Sequence, residues 1–231
     1  MSLTREKILD AALRLADEQG LPALSMRKVA AAVGVEAMSL YNHVENKGDL
    51  LDGLTARIFE EVALPDPAER WDERLRSLAE GLHASFSRHP VVVRALAAQD
   101  ANPRSAGALR VIDAVVKSLL DAGLSDEAAA RGYRSLLGML FGSVLVGTTA
   151  TGAGAERAEP VVAWFRRMVT AEELPSLHRV LPALEAGDCV QDFEYQLAVF
   201  TAGLRPDPLP LSGSSARRAA RRTGPGPRGR G

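Results

Sequence analysis

Between Ser25 and Lys47 the chain gathers Ser25, Arg27, Lys28, Ser39, Tyr41, Asn42, His43 and Lys47, a run of hydroxyls, cations, an amide and an imidazole. These side chains donate hydrogen bonds to phosphate oxygens and to the edges of bases. Ala37 and Met38, lying among them, add small or apolar surface of the kind that meets a thymine methyl. The chemistry this implies is non-covalent recognition of duplex DNA. It does not imply bond making.

Such side chains need elements to aim them. Ser25 suits the cap of a short helix, and Val29, Ala30 and Val33 fall about one turn apart, which turns one stripe inward. Gly34 permits a sharp corner, after which Leu40 and Val44 mark the inner side of a second helix, expected as a rod from Glu36 to Val44. Asn46 is placed to cap the next helix, with Asp49 three residues on, and Lys47 stands in its first turn beside backbone amides that favour an anion. A short helix pair with a glycine corner also occurs in all-helical proteins of other kinds, so the corner alone does not decide the function.

The combination is more specific than its parts. Ser25-x-Arg27-Lys28-Val29-Ala30, Gly34-Val35, Leu40-Tyr41-x-His43-Val44 and Lys47-x-x-Leu50-Leu51, preceded by REKILDAALRLADEQG, resemble the start of the tetracycline repressor (TetR) family of bacterial transcription regulators. The resemblance implies an all-α chain with an N-terminal three-helix helix-turn-helix domain (1–47) and a helical effector-binding and dimerisation domain (48–205). It also implies a homodimer on a palindromic operator, in most members a repressor. By position, Arg27, Ala37, Met38, Ser39 and Asn42 correspond to base-reading residues, and Ser25, Tyr41, His43 and Lys47 to phosphate contacts; Lys28 joins the same DNA-facing set. Ala37 and Met38 depart from strong hydrogen-bonding types, which shifts base reading toward apolar contact and the arm of Arg27.

Composition fits a two-part protein of the cytoplasm. Hydrophobic residues make up 46% of 231, enough for a substantial core. Cys189 is the single cysteine, so no internal disulfide is expected, and MSLTREK has no apolar leader. Residues 1–47 balance six basic against six acidic side chains, so any grip on DNA is local. The stretch 206–231 reads as a disordered, Arg-rich tail: six arginines and no acid fall between Ala216 and Gly231, against 22 basic and 29 acidic residues elsewhere. It serves either as a solubilising tail or as a salt-sensitive attraction to DNA.

Helical periodicity covers the rest, over Arg5 to Gln19, from Lys47 until Pro65, Trp71 to His89, Val91 to Ala98, Arg104 to Ala122, onward from about Ser125, and Asp192 to Leu204. The segment Ser135 to Ala155 carries no charge, yet its second half of Thr, Gly and Ala reads as a buried helix and not as a membrane span. Gly138 and Gly142 lie one turn apart, which admits a second helix; this segment and DFEYQLAVFTAGL are the expected dimer helices. Phe86, Leu96, Leu109, Met139, Phe141, Trp164 and Phe165 are expected to line an effector pocket.

The C-terminal part, with LGMLFGSVLVG and FEYQLAVFTAGL, resembles the tetracycline repressor branch, in which a histidine after the fifth helix helps hold drug-bound magnesium. Pro90 to Asn102 holds no histidine, so the resemblance points to another apolar or polycyclic effector. An alternative is a DNA-binding dimer without an effector. Catalysis is not expected, nor a cofactor or metal: His83 and His89 read as solvated or capping residues, Cys189 has no partner in sequence, and no phosphate loop, zinc spacing or nucleophile elbow occurs.

Overall fold

The computed structural model describes residues 3–150, 161–186 and 189–205. These form eleven α-helices, one short 3₁₀ turn and no strand. The Arg-rich tail and the end of the uncharged segment lie outside the described residues, as does the side chain of Cys189.

Helix α1 (Arg5–Gln19) starts at Thr4, whose hydroxyl accepts from the Lys7 amide, and stops at Gly20 (φ 78°). Its inner stripe includes Ile8, Ala12 and Ala16, all fully buried. A 3₁₀ turn over Leu21–Ala23, absent from the sequence reading, carries the chain to α2 (Met26–Val33). Helix α3 is only Ala37–Leu40; residues 41–43 continue as turns, with the Val44 amide donating to the Leu40 carbonyl at 2.9 Å. The rod expected from Glu36 to Val44 is therefore one helical turn with a bent continuation. Nothing caps it, since Glu36 makes no capping bond through its side chain.

Helix α4 (Lys47–Glu60) begins under the Asn46 cap and buries Leu50, Leu51, Leu54, Ile58 and Phe59. It packs on α1 with its first turns and with its remainder on α5 (Trp71–Arg88), α6 (Pro90–Ala97) and α7 (Ala106–Asp121). Helices α5, α7, α8 (Asp126–Ala150) and α11 (Cys189–Gly203) build the larger core. One apolar cluster runs without a break from Ile8 in α1 to Leu197 in α11.

Two helices escaped the sequence reading, α9 (Val161–Met168) and α10 (Pro175–Glu185). Each is short, and Pro182 inside α10 masks its periodicity. They are tied together by a two-pronged ion pair, Arg166 to Glu185 at 2.8 and 2.7 Å. No described helix is long and apolar enough to cross a membrane.

Candidate nucleic-acid interface

The glycine corner forms as its local chemistry requires. Gly34 adopts the left-handed conformation (φ 74°, ψ 32°), its amide reaches the Ala31 carbonyl at 3.2 Å, and the next amide, of Val35, reaches the Ala30 carbonyl at 3.0 Å. This pair of bonds closes the end of α2 and starts the chain in a new direction. Val29, Ala30, Leu40 and Val44 are buried beneath it, and α2 packs on α1 while α3 packs on α2.

That anchoring leaves the predicted DNA-facing side chains outward. Arg27, Lys28, Tyr41, Asn42 and Lys47 are exposed, and Met38 is 74% exposed, an unusual fraction for a large apolar residue. Ala37, Ser39 and His43 are half-buried at the edge of the same segment. The Ser25 hydroxyl accepts from the Lys28 amide at 3.3 Å, which leaves its own O–H able to donate outward. Lys28 departs from the expected set in one respect: its ammonium turns back to Gln19 at 3.2 Å.

At the start of α4, the Asn46 side chain accepts from the Asp49 amide at 3.0 Å, and the Asp49 carboxylate accepts from the Glu45 amide at 2.9 Å. Lys47 therefore sits on a capped helix start, where backbone N–H groups and the helix dipole both favour a phosphate. The spacing of Asn46 and Asp49 in the sequence shows this box but not its anchor. Arg5 of α1 forks onto Asp49 at 2.9 and 2.6 Å and also donates to the His43 carbonyl at 2.8 Å. The bond from Arg5 holds the Asp49 carboxyl below its ordinary range, and the carboxylate holds the guanidinium pKa up. The partners are 38 and 44 residues apart, so no local pattern reveals them.

Two further bonds fasten this head to the core. Arg57 of α4 reaches Asp10 of α1 at 2.7 Å, and His89, at the corner between α5 and α6, faces Asp17 of α1 at 2.8 Å. A polar cavity of about 480 Å³ opens between α4 and the α6–α7 connection, walled by Arg5, Glu45, Asp49, Asp52, Asp100 and Arg104. It contains none of the residues expected around an effector.

Those expected effector residues divide. Phe86, buried completely, meets Phe59 edge-on at 5.4 Å and Phe141 at 6.0 Å, and Leu96 and Met139 pack on the same cluster. Leu109 is instead 59% exposed, because α7 turns Ala108, Val111, Val115 and Leu119 inward and leaves Leu109 on the outer face. Trp164 is also exposed, on α9, with Phe165 edge-on to it at 5.3 Å. His83 corrects its solvated reading. It is 8% exposed, bonded to Ser143 at 3.0 Å and stacked on Phe193. Among the described residues no cluster of three His, Cys, Asp or Glu side chains is arranged to hold a metal ion.

Comparison with known proteins agrees with this architecture. Residues 8–54 match the family described as "Bacterial regulatory proteins, tetR family", and residues 64–207 match "Tetracyclin repressor-like, C-terminal domain". The chain belongs to the TetR family of transcriptional regulators. It is 29% identical over 204 residues to the class C tetracycline repressor protein of Escherichia coli, covering 87% of this chain and 90% of that one. It is 39% identical over 93 residues to the transcriptional repressor DrrR1 of Streptomyces coeruleorubidus, a match spanning 38% of this chain but only 34% of that protein. Apo ActR of Streptomyces coelicolor superposes with a TM-score of 0.74 at 29% identity, covering 88% of this chain and 96% of that one, and ActR has also been crystallised with actinorhodin.

Proposed function

We propose that the chain is a ligand-responsive repressor that binds a palindromic operator as a homodimer. Residues 1–47 serve as the reading head and residues 48–205 as the effector and dimer body. The observation that carries this is the exposed set Arg27, Met38, Tyr41, Asn42 and Lys47 on a corner whose apolar side is anchored throughout. Arg27, Ala37, Met38, Ser39 and Asn42 read base edges; Ser25, Tyr41, His43 and Lys47 hold phosphates, with Lys28 beside them in the same DNA-facing set.

Dimerisation follows from the outer faces of α8 and α11. Gly138 and Gly142 have open space where a Cβ would stand, and Tyr195 and Val199 on α11 are exposed. Pairing these faces with a second copy links two heads at the half-site spacing of about 34–36 Å, or a multiple of it. The effector is an apolar or polycyclic compound, a reading supported by the likeness to ActR, which has been crystallised with actinorhodin. It releases DNA by preferring one placement of α4, with a coupling of about 1–3 kcal/mol.

Selection of bound duplexes from a random pool by the purified protein tests the reading. An inverted repeat is the expected product, and a polycyclic aromatic from a screened panel is expected to weaken its binding. A pool that shows no enrichment overturns the DNA assignment, and enrichment insensitive to every compound favours a dimer without an effector.

A further inference from the structure

We infer that Arg5, which lies on α1 outside the helix pair, is a positioning residue for sequence reading: it sets the exit angle of the recognition segment without touching DNA. The inference rests on the DNA-binding reading above and concerns how that head holds its shape.

The geometry brackets one residue. The Arg5 Nη1 group donates one proton to the His43 carbonyl at 2.8 Å and the other to Asp49 Oδ2 at 2.9 Å, while Nη2 donates to Asp49 Oδ1 at 2.6 Å. Asp49 Oδ2 in turn accepts the Glu45 amide at 2.9 Å. The carbonyl before Val44 and the amide after it are thus both held by one ion pair, and Val44 itself is buried. Upstream of this bracket stand Tyr41, Asn42 and His43; downstream stands Lys47.

The bracket matters because α3 is intrinsically weak. It has four residues and no side-chain cap, and it ends in turns, so its own backbone bonds cannot fix its direction. Leu40 and Val44 pin it by burial, and the polar bonds to the His43 carbonyl and the Glu45 amide add the directional constraint that apolar contact lacks. A guanidinium suits this task since its rigid planar fork reaches a carboxylate and a carbonyl at once. A lysine ammonium at the same place can satisfy one or the other. Close approach is allowed by Gly53, where a Cβ would stand 2.7 Å from Leu9 and 3.3 Å from the Arg5 guanidinium.

The test compares Arg5→Lys with Arg57→Lys, which weakens the other α1–α4 ion pair, to Asp10, far from the bracket. The full-length variants are measured on the best duplex selected by wild-type protein and on a scrambled duplex, across a salt series. Arg5→Lys is expected to lower the specific-to-scrambled affinity ratio by roughly 10-fold or more, with the salt slope unchanged and amide exchange faster over Tyr41 to Val44. Arg57→Lys is expected to leave the ratio in place.

Equal losses in both variants would make Arg5 mere glue between helices, and a parallel fall on both duplexes with a smaller salt slope would make it a phosphate contact. Either result overturns the inference, as does an unchanged ratio. If Arg5→Lys does not fold, Asp49→Asn, judged by the same ratio and exchange readouts, decides. Failure of wild-type protein to select any duplex refutes the DNA reading instead, and is distinguishable because no variant enters that measurement.

Discussion

The imidazole of His83 lies flat against the ring of Phe193, 4.0 Å between centroids and 6° from parallel, and joins α5 to α11 while its Nε2 meets Ser143 of α8. Three helices of the body therefore converge on one titratable ring. Burial pushes its pKa below the ordinary 6.5. The unfolded chain takes up this proton first as pH falls, so the contribution is fully present above pH 6.5 and is lost as pH drops from there through the lowered value. Wild-type melting temperature is expected to decline over that window, and His83→Gln, which keeps a polar partner for Ser143, is expected to flatten the decline. Calorimetric scans from about pH 8 to pH 5.5 on both proteins check this, and identical slopes refute it.

Lys47 lies at a capped helix start, exposed to solvent. Replacing it by Ala is expected to weaken binding to all duplexes about equally and to reduce the slope of log affinity against log salt by about 1. Arg27→Ala, in contrast, is expected to change which sequences are preferred. An unaltered slope in Lys47→Ala removes the phosphate assignment.

What the sequence made legible, and what it left hidden, follows from range. The Ser25 cap, the Gly34 corner and the Asn46–Asp49 box are built from neighbours three to five residues apart, and all three occur as expected. The recognition helix came out shorter, because periodicity in Leu40 and Val44 reports which side is buried and not whether the backbone stays helical. Leu109 was misplaced because apolarity alone does not choose a face when Ala108 and Val111 compete for the inside. The burial of His83, which bonds Ser143 60 residues away and stacks on Phe193, and the clamp by Arg5 were beyond any local pattern.

At Gly142, a Cβ would meet nothing within 4 Å beyond the backbone of its own helix inside the single chain. Gly142→Arg is therefore expected to leave the protomer folded, with unchanged far-ultraviolet dichroism, while sedimentation shows a monomer. A dimer of wild-type strength in that variant places the interface elsewhere.

The Thr55 hydroxyl is fully buried on α4 and makes no hydrogen bond among the described residues. A buried hydroxyl left unpaired is a net cost to folding. Thr55→Val, of the same shape, is expected to raise unfolding stability by about 1 kcal/mol in urea titration. Loss of stability in this variant would show that the hydroxyl is engaged in the assembled protein.

The unbroken apolar mass from α1 to α11 has a practical corollary at α4, where Leu50 and Leu54 seat the reading head and Phe59 meets Phe86 of the body. Cutting the chain after residue 47 removes the α4 part of the cluster that Ile8, Leu40 and Val44 share, so a head cut there is not expected to be a portable cassette that can be grafted onto another scaffold by itself. Engineers seeking to transplant its sequence preference must carry α4 along, together with a surrogate for the wall that α5 and α7 provide.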